Sequence, residues 1–460
     1  MTGTSRRVLD QFLGALGNPA PAGPVVLTEG GSLPSPFAVS DLAQASMAAA
    51  GSSLATLLSS LDDAHIPTTT VDRDLASAWF GFSIRPDGWE LPSPWDAVAG
   101  DYAAADGWIK LHTNAPHHRS AALAVLGVTA DRSDVAAAVT LWDADELESA
   151  VVDAGGAAAA MRSQTEWDQH PQGRAVASEP LLLHERTSEA AAPLLLGTTG
   201  SPLDGLRVLD LTRVLAGPVA TRLLAGWGAD VLRIDPPDWD EPGVVPEVTL
   251  GKRCARLDLR SIPGRDRFLE LLAGADVLVH GYRSDALERL GLGVDVRADA
   301  RPGLVDVSLD AYGWSGPWAA RRGFDSLVQM SAGIAEAAMV AAGTDRPVPL
   351  PVQALDHATG YLLAAATLAG LTLRRQDGVG SRWCTSLAAM ARVLTGAGTT
   401  KSDRSVGIDP ARPRLDRPVE RTPWGDARRL PPPIDVEGVP LRWTIPAGPL
   451  GSSEPVWAGR

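Results

Sequence analysis

The sequence predicts an α/β protein in which a Rossmann-like parallel-sheet domain is joined to a smaller α+β domain. Three observations carry this. Short apolar runs alternate with amphipathic helical stretches from about residue 205 onward. The stretch before them mixes a hairpin with short helices. Gly-, Pro- and Ser/Thr-rich segments separate the two. At 460 residues the chain has room for two or three domains. The punctuation divides it into an N-terminal segment (1–37), a small α+β domain (38–190), a linker (191–204), the Rossmann-like domain (205–395) and an Arg/Pro-rich tail (396–460).

In the large domain, Leu206–Leu211 (LRVLDL) reads as a buried strand. Val214–Gly226 follows with helical periodicity and Pro218 near its first turn, and Ala229–Ile234 (ADVLRI) is the next strand. Arg265–Leu272 is an amphipathic helix, and Ala275–Val279 and Leu304–Leu309 are further apolar strands. In the smaller domain, Asp41–Leu61 is an Ala-rich helix. Asp101–His112 is a hairpin turning at Asp106-Gly107, and Arg119–Leu126, Ser133–Leu141 and Ala144–Ala154 are short helices. Asp356 opens a second Ala-rich helix whose start resembles that at Asp41. An internal repeat and an ordinary capping solution both account for this.

Composition narrows the function. Forty-one basic against 55 acidic side chains give a formal net charge of −14, which disfavours nonspecific binding to nucleic acid. No apolar run is long enough to cross a membrane, and the first residues lack the pattern of a secretory signal, so a soluble cytoplasmic protein is expected. Cys254 and Cys384, 130 residues apart, signal neither a disulfide framework nor a zinc site and are assigned to packing. Lysines occur only at 110, 252 and 401, so an anionic ligand would be met mainly by arginine.

The turn after the first large-domain strand, Asp210 to Pro218, lacks the GxGxxG spacing of a dinucleotide site. GxxxxGK[ST], HExxH and GxSxG are also missing. The one histidine cluster, His112, His117 and His118, is expected on the surface or in a loop, and no metal site is expected.

What remains is a set of short motifs in a definite order. These are GLRVLDLTRVLAGPVATRLLAGWGADVLRID (205–235), Gly251-Lys-Arg253 with Leu257-Asp-Leu-Arg260, and ADVLVHGY ending at Tyr282 with LERLGLG ending at Gly293. Tyr312-Gly-Trp-Ser-Gly-Pro317 with Gly323-Phe-Asp325 follows, then Asp356-x-x-x-Gly360 with Arg374-x-x-x-Gly378-x-Gly380. Their order resembles the class III CoA-transferases, the family of formyl-CoA and carnitine CoA-transferases. Tyr102-x-x-x-Asp106-Gly107 and Gln169–Gly173 resemble that family's small domain, which normally follows the nucleophile helix. Here the small-domain half stands before the Rossmann half.

The resemblance implies that CoA moves between an acyl-CoA donor and a carboxylic acid acceptor through an aspartyl anhydride and thioester. Asp356 would be the nucleophile, and CoA a substrate with no metal or redox cofactor. The helix start would surround Asp356 with backbone N–H groups and keep it ionised. The CoA contacts carried over are Val214, Leu215, Leu257, Arg260, Tyr282, Arg289 and Tyr312, and Asp41 is a relic or alternative nucleophile. A homodimer acting on acyl-CoA and carboxylic acids is implied, with neither nucleic acid nor membrane as partner. The tail would wrap another subunit or be partly disordered.

Three departures bear on CoA binding: Gly281 before the aromatic, the acidic Pro237–Pro242 segment after the second strand, and Asp310. An apolar acyl lining is expected from segments such as Gln329–Ala342. Two rival readings remain: a 2-methylacyl-CoA racemase, whose GHD-type segment is replaced by Tyr312-Gly-Trp-Ser-Gly-Pro317 and which only His357 keeps open, and a non-catalytic CoA-binding or scaffold protein.

Overall fold

The computed structural model describes residues 3–18, 20–60, 66–190, 194, 196–197, 200–398, 405–407 and 418–459. Seven strands form its main sheet: β1 (Leu183–Glu189), β2 (Arg207–Leu211), β3 (Asp230–Asp235), β4 (Lys252–Arg256), β5 (Val277–His280), β6 (Val305–Asp310) and β7 (Val379–Ser386). Their spatial order is β4-β3-β2-β5-β6-β7-β1, parallel from β4 to β7. The parallel part has the doubly wound order, with its reversal between β2 and β5, which is where such sheets place ligands beyond the strand carboxyl ends.

The strands are buried on both faces because helices cover both. Val208, Leu209, Val277, Leu278, Val305 and Val307 are all fully enclosed. Inside β2, Asp210 is satisfied by Lys252 Nζ (3.0 Å), Thr221 Oγ1 and the backbone N–H of Thr212. The cost of burial lowers the Lys252 ammonium to about 8. Cys254 and Cys384 are free and buried, as expected for packing residues.

β1 pairs antiparallel with β7, so the last strand of the 38–190 segment completes the large sheet. The predicted hairpin is present as Gly100–Ala103 and Trp108–Leu111, joined by Ala158–Ala160 in a three-stranded sheet with its own core around Ile109, Leu147 and Val151.

The helices that matter for the site are α1 (Gly3–Ala15), α2 (Val39–Ser59), α3 (Arg73–Trp79), α4 (Ala216–Gly226), α5 (Asp325–Ser331) and α6 (Ala354–Asp377). α2 and α6 pack on one another, and one apolar core runs from α1 through α2 and α6 to α4.

The two Ala-rich helices begin alike. Ala38 (φ −78°, ψ 51°) and Gln353 (φ −76°, ψ 69°) precede them with the same unusual backbone. In each case the first helical N–H bonds two residues back, Val39 to Phe37 and Ala354 to Val352, both at 2.8 Å. Asp41 and Asp356 are then the third residue of their helices. Each helix also connects two parallel strands, Val25–Leu27 with Thr69–Val71, and β6 with β7. After each second strand comes a short helix capped by a side chain, Asp72 for α3 and Ser386 for Leu387–Gly396. The internal repeat is therefore structural.

The tail differs from expectation. Residues 418–459 neither reach away from the chain nor lie idle. Gly425–Arg429 pairs with Ile84–Pro86, and Ile434–Val436 with Thr69–Val71. Trp443 stacks on Trp79 (5.8 Å), and Trp457 Nε1 donates to the carbonyl of Leu271. Aromatic anchors spaced along an irregular Pro-rich strap supply enough burial to hold it on its own chain. The most Arg/Pro-rich part, 408–417, lies outside the described residues.

Candidate active site

Asp356 lies on a cavity of about 440 Å³. Its walls come from the loops after β2 (Val214, Leu215) and β3 (Trp239–Val244), from the start of α5 (Phe324–Ser326), and from the chain leading into α6 (Pro351–Gln353). Phe80–Phe82, Ser93–Asp96 and His112–Ala115 complete them. The site is thus shared between the doubly wound sheet and the N-terminal part of the chain. No residue of Gln329–Ala342, the segment expected to line an acyl site, lines this cavity. Gln329 is buried and spends its amide holding Asp325 and the N–H of Leu350 (2.8 Å).

The motif Asp356-x-x-x-Gly360 has a direct physical reading. Residues four apart share a helix face. Asp356 presents its carboxyl to the cavity, and a side chain at Gly360 would meet the carbonyl oxygen of Ala216 at 2.3 Å. Glycine lets α6 lie against the first turn of α4, whose preceding residues Val214 and Leu215 form the adjacent wall.

Val214 has a left-handed backbone (φ 63°), rare for a β-branched residue. Its N–H is held by Glu241 Oε2 at 2.9 Å, while Glu241 also accepts from Trp239 Nε1 and pairs with Arg233. Within the acidic Pro237–Pro242 segment Glu241 is therefore paired and structural, while Asp238 and Asp240 are exposed.

The expectation that backbone N–H groups surround and ionise Asp356 is not met. The N–H of Asp356 donates to Asp325 Oδ2 (2.9 Å), that of His357 to Gln353 O (3.1 Å), and that of Ala354 to Val352 O. No donor to the Asp356 carboxyl is present among the described residues. Burial and the Asp325 carboxyl hold its proton affinity well above the ordinary carboxylate range. Burial likewise raises Asp325 to about 6, against the hydrogen bonds it accepts. Two neighbouring buried carboxyl groups resist ionising together.

Asp41 is placed differently. Arg73, the first residue of α3, donates to its Oδ2 at 2.9 Å, and Ser5 of α1 donates to Oδ1 at 2.8 Å. Leu387 is the first residue of the corresponding helix in the other repeat. Asp41 is completely buried, pairs with Arg73 and does not line this cavity.

Of the carried-over CoA contacts, Val214 and Leu215 share the cavity with Asp356, and the other five do not line it. Tyr282 lies outside, with Arg213 donating to its hydroxyl (2.9 Å) and stacked between it and Trp239. Leu257 is half-buried against the β2–β5 core. Arg260 and Arg289 are exposed and pair with Asp258 and Asp285, both at 2.8 Å. Tyr312 is enclosed with Trp318 and bonded to Ser331 Oγ (3.2 Å). Asp310 is buried, and desolvation raises its proton affinity well above the ordinary carboxylate range.

Of the histidine cluster, His117 is exposed and His112 lies in a loop, as expected, whereas His118 is buried in a helix; His112 is buried as well. His112 lies flat on Phe324 (3.7 Å) and forms part of the cavity wall. Burial lowers His112, His118 and His357 to about 3, so they are neutral near pH 7. Among the described residues no group of three or more His, Cys, Asp or Glu could hold a metal ion.

Sequence reasoning quoted Asp325 only as part of GFD, and proximity to Asp356 gives it its significance. Phe80, Phe82, Trp95 and Trp239 carried no sequence signal beyond being aromatic residues near turns.

Asp356 is thus a buried carboxyl on a cavity beside the doubly wound sheet, with no donor to it among the described residues. Residues 203–416 match the family model of CoA-transferase family III. A probable fatty acyl-CoA transferase of Mycobacterium tuberculosis is 35% identical over 192 residues, 39% of this chain and 48% of that protein. A succinyl-CoA:glutarate CoA-transferase of Mus musculus is 33% identical over 192 residues, 39% of this chain and 44% of that one. A crystal structure of the M. tuberculosis protein aligns at 32% identity and a TM-score of 0.40, covering 43% of this chain and 58% of that chain. The chain spans about half the length of these relatives.

Proposed function

We propose that the protein is a CoA-transferase that moves CoA from an acyl-CoA to a carboxylic acid through Asp356. The observation that carries this is the Asp356 carboxyl, buried on the cavity wall with no donor to it among the described residues, in a segment that matches CoA-transferase family III.

In its ionised form Asp356 attacks the thioester carbonyl, expelling CoA thiolate and leaving a mixed anhydride. The thiolate then attacks the aspartyl carbonyl, releasing the donor acid and forming an aspartyl-CoA thioester. The acceptor carboxylate reverses the sequence and leaves as the new acyl-CoA. A carboxylate of raised basicity is the stronger nucleophile, so the desolvated setting favours the first step once the proton is gone. Water exclusion protects the anhydride from hydrolysis.

A cytoplasmic homodimer belongs to the same reading and rests on the family resemblance. Light scattering on the purified chain tests the dimer. No described helix is long and apolar enough to cross a membrane.

The test is intact-mass spectrometry after incubation with acyl-CoA thioesters and trapping by hydroxylamine or borohydride. The expected adduct forms in the wild type and in the folded fraction of Asp41→Ala, and is lost in Asp356→Ala. An adduct that survives Asp356→Ala, or none in the wild type, overturns the proposal. α-Proton exchange without an adduct would instead support the racemase.

A further inference from the structure

The charge distribution around the cavity bears on which acyl group it accepts. Five aromatic rings, those of Phe80, Phe82, Trp95, Trp239 and Phe324, form much of its wall. The ionisable groups on the same wall are Asp96, Asp240, Glu241, Asp325, Asp356 and the two histidines His112 and His357. Among the described residues no lysine or arginine lines it.

The cations whose fields reach the site are already committed. Lys110 is buried and pairs with Asp101 at 2.7 Å beneath Trp95, and Arg222 is buried against Glu247. Arg213 is held by the Tyr282 hydroxyl and two ring faces. Both wall histidines are neutral near pH 7 because burial depresses them.

From this we infer that the site selects thioesters of uncharged, hydrophobic acyl groups and rejects those that carry a second carboxylate. The inference rests on the CoA-transferase reading above and names its substrate class. A distal carboxylate would enter a low-dielectric pocket already holding acidic groups, with no guanidinium or ammonium to meet it. An aliphatic or aromatic acyl chain would exchange water for ring faces, at about fourfold in affinity per buried methylene. The cavity is within the size range of small-molecule sites and large enough for more than a short acyl group.

The experiment measures binding and transfer separately on the intact chain. Calorimetry gives dissociation constants for free CoA, butyryl-, hexanoyl-, octanoyl-, phenylacetyl-, succinyl- and glutaryl-CoA. The adduct assay is run with the same thioesters. Affinity is expected to rise from butyryl- to octanoyl-CoA, with glutaryl-CoA weaker than hexanoyl-CoA by about tenfold or more, the cost of one unpaired charge in a partly desolvated site. Val352→Arg, which adds a cation to a half-exposed part of the wall, should narrow that gap.

Equal or tighter binding of the dicarboxylic thioesters, or no difference between free CoA and all acyl-CoAs, overturns the inference. Hydrophobic selectivity without an Asp356-dependent adduct upholds the inference and defeats the transferase reading. An adduct formed preferentially from glutaryl- or succinyl-CoA does the reverse.

Discussion

Asp356 and Asp325 form a pair whose charge state depends on both members. Burial and the neighbouring carboxyl raise Asp356, so its reactive carboxylate form grows as pH rises, and adduct formation should climb through a pH range above that of a free aspartate. Replacing Asp325 with Asn removes the like charge. The ascending limb of the adduct rate against pH should then move down by roughly one unit. The same change alters stability in a defined direction. A carboxyl whose folded-state value is raised stabilises the fold below its unfolded value of about 4, and that contribution fades as pH rises through the folded value. For Asp325 this happens around 6. Urea unfolding should therefore show Asp325→Asn gaining on the wild type between about pH 4 and pH 7. An unmoved pH limb would mean that the two carboxyls do not sense one another. Asp41 shows why the same residue type at the equivalent helix position is not equivalent chemically: a guanidinium from α3 neutralises it.

At the scale of elements, α6 ties site to scaffold. Its Asp356 face meets the cavity, and Gly360, one turn on, lies against the carbonyl of Ala216, where an added Cβ would be 2.3 Å from oxygen. Gly360→Ala forces α4 and α6 apart just behind Val214. The expected cost is about 1–3 kcal/mol of stability, as for other overpacked cores. A fall in adduct rate larger than the unfolded fraction explains should accompany it, because the Val214 wall moves. Denaturant titration and the trapping assay on the same sample check both. The helical and strand elements of 205–310 were legible because apolar periodicity and parallel-sheet burial leave a strong mark in sequence. The start of α6 was legible through its Asp-x-x-x-Gly spacing, and the α2/α6 repeat through its Asp-Ala-rich openings. β1 was not, since an edge strand exposed on one side reads as Arg/Thr/Ser linker. Nor were the cavity loops, where Phe80 or Trp95 reaches the site through long-range packing that no local period records.

Across the whole molecule, Glu247 is the point at which the N-terminal part, the doubly wound sheet and the tail strap converge. Its carboxylate accepts from the backbone N–H groups of Ser83 and Ile84, both at 3.0 Å. It also pairs with Arg222 of α4 and with Arg429 of the tail at 2.8 Å. Arg222 lies under the Trp79 ring, which stacks on Trp443, so ionic and aromatic contacts join the same three parts of the chain. The surrounding cations and hydrogen bonds outweigh desolvation and lower Glu247 from 4.5 to about 2. A lowered carboxyl contributes stability that is fully present above its unfolded value and lost as pH falls through its folded one. Glu247→Gln keeps the shape but leaves Arg222 buried without a counter-charge. The expected loss at pH 7 is about 3–5 kcal/mol, as for one-sided breaks of buried pairs. Because the wild type sheds the same advantage in acid, the difference should shrink as pH drops from about 5 toward 2. Chemical unfolding of both proteins across that range measures the difference directly. Ser83 and Ile84 follow Phe80–Phe82 in the chain, so the damage should also reach the cavity. The KM for a hydrophobic acyl-CoA should rise under conditions where the variant is still fully folded. A pH-independent stability difference would mean that Glu247 acts through packing and that its charge does not join the three parts.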